Sequence, residues 1–231
     1  MLEGLSLLAI ALNDQSPAIP SNFSLPLAFI PPFAALLKSL PMPKQSALAR
    51  ARKIKLLLFD VDGVLTDGKL FFPAISGNEQ VGSIEVKGFH AHDGVAISLA
   101  RLAGLKTGLI TKRTSNTVAL RARDLKLEYV RQGIRDKGSA FDEIVKEAGI
   151  RPDEAAFVGD DVVDLPAMRP AGLAIAVKNA RAEVKKEAHF VTPHAGGDGA
   201  LRDAVEFILK AQGKWKRVLE EYIRHGTASA Q

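Results

Sequence analysis

The segment Ile54 to Phe59, apolar but for Lys55, runs straight into Asp60-Val61-Asp62-Gly63-Val64-Leu65-Thr66-Asp67. A short apolar run of this kind reads as a strand buried on both faces, and such strands occur where helices cover a parallel sheet. Two carboxylates at i and i+2 then leave the strand in a βα turn, at the sheet edge where α/β proteins hold their ligands. Gly63 lets the backbone turn sharply beside them. In that position Asp60 is suited to attack an electrophile while Asp62 exchanges a proton with the leaving group. Asp-x-Asp-Gly also opens calcium loops, but here a strand precedes it and no Glu stands at the loop's end.

Downstream the chain alternates helix and strand. Predicted helices cover 94–103, 115–125, 137–148, 165–169, 181–187 and 200–212, and predicted strands 106–111, 129–132, 155–159, 173–177 and 190–191. Gly104 and Gly149 read as helix stops, and Ser115, Asp153 and Asn179 as caps or turn formers. The expected fold class is α/β, a Rossmann-like doubly wound parallel sheet. Between Lys69 and Phe89, Pro73, Gly77, Asn78 and Gly82 separate two arms of a β-hairpin flap. Only one helix and one strand fit between Thr111 and Lys137, so no large cap domain is inserted there.

Three later segments end predicted strands in the same way. Leu109-Ile110-Thr111-Lys112-Arg113 brings a hydroxyl and two cations to the edge. Gln132-Gly133 leads to Asp136-Lys137-Gly138 at a helix start, where a cation is unfavourable with the helix dipole unless an anion faces it. Val158-Gly159-Asp160-Asp161-Val162-Val163-Asp164 adds further carboxylates, which repel one another unless a cation intervenes. Cysteine is absent, so a metal here is held by oxygen or by the five histidines, and oxygen points to a hard cation such as Mg2+. His90, His189 and His194 show no metal-ligand spacing.

These four ordered motifs, within 53–213, resemble the haloacid dehalogenase superfamily and, inside it, the 3-deoxy-D-manno-octulosonate 8-phosphate phosphatases. The resemblance implies a phosphomonoesterase in which Asp60 forms an aspartyl-phosphate and Asp62 is the general acid/base. It assigns Thr111 and Lys137 to phosphate, with Arg113 beside them. Mg2+ falls to Asp60, Asp160 and the backbone carbonyl of Asp62, with Asp161 assisting and Asp164 orienting the loop or capping a helix. Lys112 stands where relatives carry glycine, and either adds an anion contact or points to solvent. His92 and Asp198 stand where relatives carry arginines, which leaves the choice between an octulosonate and another anionic sugar phosphate, such as a nonulosonic acid 9-phosphate, open.

The resemblance further implies a homo-oligomer, a homotetramer, closed by the flaps. A stripe of Trp215, Val218, Leu219 and Tyr222 in the C-terminal helix and tail, 214–231, reads as core or interface. Residues 1–41 carry only Glu3, Asp14 and Lys38 as charges, and prolines interrupt every window long enough to span a membrane. The N-terminal stretch, 1–52, therefore reads as an extension, either disordered or upstream of a true start at Met42. The expected protein is cytoplasmic, with neither membrane nor nucleic acid as partner. The net charge of +5 is scattered among acids rather than gathered in a block. Two further readings are a non-catalytic regulatory module that kept the fold and a nucleic-acid 3'-phosphatase.

Overall fold

The computed structural model describes residues 46–77 and 80–225. The expectations for 1–41, for Met42 and for Asn78 lie outside the described residues. Strand β1 (Leu56–Phe59) is shorter than the run suggested, because Lys55 turns outward to pair with Glu154. Its four side chains are wholly buried. Truncating one of them, as in Leu57→Ala, costs about 2–5 kcal/mol through lost contacts and the cavity left behind.

A hairpin follows, β2 (Ala74–Gly77) antiparallel to β3 (Gln80–Ser83), with Phe71 bridging Val86 at its base. The remaining strands are β4 (Lys106–Ile110), β5 (Tyr129–Arg131), β6 (Ala155–Gly159), β7 (Leu173–Ala176) and β8 (Phe190–Val191). With β1 they form a six-stranded parallel sheet in the order β5-β4-β1-β6-β7-β8. The chain runs outward from β1 in both directions, so the order reverses there and a crevice opens at its carboxyl end. The hairpin is the flap, and there is no large separate cap among the described residues.

The helices are α1 (Ala47–Ala51), α2 (Ala91–Leu102), α3 (Asn116–Asp124), α4 (Lys137–Glu147), α5 (Leu165–Met168), α6 (Ala182–Glu187), α7 (Ala200–Ala211) and α8 (Trp215–His225). Helix α1 is an addition to the sequence reading, which began the domain at 53. Ser46 caps it, Ala51 is buried in the core, and Arg50 donates to the carbonyl of Gly172 at 2.8 Å. Helix α2 starts three residues earlier than expected, at Ala91. Ser115 caps α3 as expected, and Gly104 and Gly149 adopt positive φ just past α2 and α4. Asp153 does not cap; it pairs with Arg151. Asn179 is a turn former rather than a cap: it lies in the turn closed by Ala180 N–H to the Val177 carbonyl at 2.9 Å, and its side chain accepts from the Gly196 amide at 2.9 Å.

Helix α7 buries Leu201, Ala204, Val205, Ile208 and Leu209, one face of a 3.6-residue period, and packs on α2. The stripe on α8 goes to the chain's own core. Val218 is fully buried, and Trp215 and Tyr222 pack against the core, with Arg202 and Lys210 over the indole at 5.0 and 5.4 Å.

Candidate active site

Adjacent parallel strands deliver the motifs to one place. Phe59 is level with Leu109 on one side and Val158 on the other, so Asp60, Thr111 and Asp160 leave the sheet together within two residues of that line. Asp60 donates its amide to the Val158 carbonyl at 3.1 Å, and the chain then makes a wide turn closed by Thr66 N–H to the Val61 carbonyl at 3.0 Å. Gly63 sits in this turn at φ +94. The glycine loop before α7 braces it from behind: Gly197 donates to the Val64 carbonyl at 3.0 Å. A Cβ on Gly196 would fall 1.7 Å from the Gly63 oxygen.

Lys137, the first residue of α4, is 2% exposed and reaches two carboxylates from below. Its Nζ lies 2.7 Å from Asp164 Oδ1 and 2.9 Å from Asp60 Oδ1, the second contact being a charge pairing without hydrogen-bond alignment. Asp164 is completely buried, and its other oxygen accepts from the amides of Asp160 at 2.9 Å and Asp161 at 3.3 Å. It thus holds the Asp160 loop in place and does not cap α5 through its side chain. Asp161 accepts from the Val162 amide beside it.

Oxygens of Asp60, Asp160 and Asp164 all lie within 4.8 Å of one another. Burial, and then the charge of Asp164, raises Asp60 to about 6 despite Lys137. Burial, followed by the charges of Asp164, Asp60 and Asp161, raises Asp160 to about 7. One lysine does not balance three carboxylates, and both Asp164 oxygens already have partners. The oxygens of Asp60 and Asp160 are left facing one another, a hard donor set that fits a divalent cation.

Asp62 belongs to a second group of charges. Its Oδ1 is in close contact with Lys87 Nζ, and its Oδ2 lies 3.7 Å from Arg113 Nε. Lys87 and Glu85 come from the flap's returning arm and were not singled out in the sequence. Strict alternation was the available signal, since Ile84 and Val86 face solvent while Glu85 and Lys87 face inward. Thr111 is buried at the end of β4. Lys112 is exposed. His92 is also exposed, edge-on to His90 at 4.7 Å, and lines a cavity of about 450 Å³ with His194, Asp198 and Arg202. His90 lies 4.0 Å from Asp198. Another cavity, about 500 Å³ between Lys53, Lys55, Arg151 and Lys214, is at the amino ends of β1 and β6 and contains none of these carboxylates.

A parallel sheet that brings paired aspartates, a buried lysine and a strand-end threonine to one crevice defines a phosphoric monoester hydrolase. A family of haloacid dehalogenase-like hydrolases matches residues 108–202. The 3-deoxy-D-manno-octulosonate 8-phosphate phosphatase KdsC of Escherichia coli K12 is 37% identical over 167 residues, 72% of this chain and 85% of that one. Among solved structures, a probable YrbI family phosphatase from Pseudomonas syringae pv. phaseolica superposes with TM-score 0.71 at 38% identity, covering 77% of this chain and 97% of that one. The Moraxella catarrhalis 3-deoxy-D-manno-octulosonate 8-phosphate phosphatase, solved with magnesium ion, phosphate ion and KDO, gives 0.70 at 34% identity, covering 76% and 97%. The chain belongs to the haloacid dehalogenase superfamily and is closely related there to the KdsC/YrbI type phosphatases.

Proposed function

We propose that the protein hydrolyses 3-deoxy-D-manno-octulosonate 8-phosphate to the free sugar acid and phosphate, in the cytoplasm, as a step toward outer-membrane lipopolysaccharide. The observation that carries the reaction type is Lys137, buried and shared between Asp60 and Asp164 at 2.9 and 2.7 Å. It fixes Asp60 at the end of β1 and screens its charge from an arriving phosphate. The names of the relatives support the substrate class.

In this reading Asp60 Oδ attacks phosphorus, and the bond from phosphorus to the sugar oxygen breaks as Asp62 passes a proton to that oxygen. Asp62 then takes a proton from the water that cleaves the aspartyl-phosphate, regenerating Asp60. Thr111 and Lys137 hold the phosphoryl oxygens, with Arg113 at the flap side. Asp60, Asp160 and the Asp62 carbonyl hold Mg2+, which when bound neutralises phosphate charge. Asp161 assists at the metal, and Asp164 orients that loop.

His92 and Asp198 stand at the sugar end, where a histidine beside an aspartate is a weaker carboxylate binder than arginine. A nonulosonic acid 9-phosphate is therefore the second candidate. Self-association through the flaps, as a homotetramer, is supported by Leu70, Phe71, Phe72, Ile84 and Val86, all close to half exposed on one hairpin.

Phosphate release with and without Mg2+ tests this across octulosonate 8-phosphate, nonulosonate 9-phosphates, simple sugar phosphates and a 3'-phosphorylated oligonucleotide. A preference of orders of magnitude for octulosonate 8-phosphate is expected. A better nonulosonate substrate would make His92 and Asp198 the specificity switch, and silence on every compound would favour the regulatory module.

A further inference from the structure

The returning arm of the flap is inside out. Ile84 and Val86 are 54% and 47% exposed, whereas the Lys87 side chain is 1% exposed and Glu85 is largely covered. An exposed edge ordinarily turns its charges to water. Here they turn into the crevice and form an alternating set of four. Lys87 Nζ touches Asp62 Oδ1 and lies 3.4 Å from Glu85 Oε1. Arg113 donates to the same Glu85 oxygen at 2.9 Å and faces Asp62 Oδ2 from 3.7 Å. Ser115 Oγ donates to the other Glu85 oxygen. Arg113 also lies 5.7 Å over the Phe72 ring, so the group ties together both arms of the flap, the loop after β4 and the turn after β1.

Burying a lysine is costly unless well-placed partners compensate the lost hydration. Glu85 is fixed, by Ser115 and Arg113. Asp62, with its side chain one-fifth exposed, has Lys87 as its nearest cation. We propose that Lys87 is a positioning residue for Asp62: it sets the direction of the carboxyl that exchanges protons with the leaving oxygen, and Glu85 with Arg113 sets Lys87. The flap thereby contributes to proton transfer as well as to covering the site. This rests on Asp62 being the general acid.

General-acid assistance matters for a poor leaving group and hardly at all for a good one, which separates positioning from a merely structural role. The measurement is kcat/KM, which reports the phosphoryl-transfer step, for octulosonate 8-phosphate and for p-nitrophenyl phosphate with Lys87→Met, Lys87→Arg and Asp62→Asn. Lys87→Met should lose about 100-fold on the sugar phosphate and under about 5-fold on the aryl phosphate, the range that proton transfer supplies. Lys87→Arg, which keeps the cation, should recover to within about 10-fold of wild type. Equal losses by Lys87→Met on both substrates, or none, would overturn the proposal. If Asp62→Asn shows the selective loss and Lys87→Met does not, the role of Lys87 alone falls; if Asp62→Asn is not selective, the general-acid reading falls with it.

Discussion

Gly63 and Asp160 meet so closely across the crevice that a Cβ built on Gly63 would lie 2.2 Å from Asp160 Oδ2. The turn after β1 and the loop after β6 are shaped against each other at this point, and the positive φ of Gly63 is what allows it. Gly63→Ala therefore strains the backbone by about 1–3 kcal/mol and displaces a carboxylate of the proposed metal site. The expected outcome is a folded protein with a lower Tm, a kcat reduced by about 100-fold or more, and weaker Mg2+ activation. Thermal unfolding and steady-state kinetics on the purified variant check it.

The raised carboxyls make stability depend on pH and metal. Asp60 at about 6 and Asp160 at about 7 hold protons in the folded chain that the unfolded chain has already released. Between roughly pH 4 and pH 7 the folded state binds more protons, so stability falls as pH rises through that window. Metal-free protein in a chelator should accordingly melt at a lower temperature at pH 8 than at pH 5, and Mg2+ should restore it at pH 8. Asp160→Asn should be more stable than wild type without metal at pH 8, inactive, and insensitive to Mg2+ in its melting. Calorimetry at the two pH values decides this. A wild type that gains stability with pH when stripped of metal would contradict the crowding described.

Asp93, on α2, is wholly buried and accepts the Arg202 amide at 2.9 Å, which caps α7 from another helix. Gly199 at the α7 N-cap position has no side chain to do so. Burial pushes Asp93 upward, against the backbone hydrogen bonds it receives. Asp93→Ala should destabilise the fold by about 1–2 kcal/mol, while Asp93→Asn, which keeps an acceptor, should lose much less. Denaturant unfolding of the pair tests this, and equal losses would show that the acceptor is not what matters.

What was legible in the sequence was whatever depends on local order. The apolar run ending at Asp60, the strand-end threonine and the doubled aspartate after β6 announce a carboxyl edge as an ordered series, the threonine alone being no more than a turn residue, and alternation of elements then implies the parallel sheet. Asp60, Lys137, Asp160 and Asp164 are brought together because the neighbouring parallel strands β1 and β6 and the start of α4 meet at one edge. Alternation along 84–87 turns Lys87 inward, but its partner Asp62 is 25 residues away and that of Asp93, Arg202, is 109 away, and only packing introduces those partners. Helix α1 is not legible because five residues show no periodicity, and its stability comes from Ala51 in the core and Arg50 on Gly172. The α8 stripe was ambiguous between core and interface because both bury one helical face, and its contacts with α2 and α7 decide for the core.

The most direct test of the account is Mg2+-dependent phosphate release from octulosonate 8-phosphate by wild type and by Asp60→Asn, alongside their melting curves. Asp60→Asn should remain folded, and in metal-free protein should melt no lower than wild type, because it removes one of the crowded carboxylates. Its turnover should fall by at least about 10³-fold, since no other group replaces a nucleophile. A folded Asp60→Asn protein that keeps most of the wild-type rate would contradict the account.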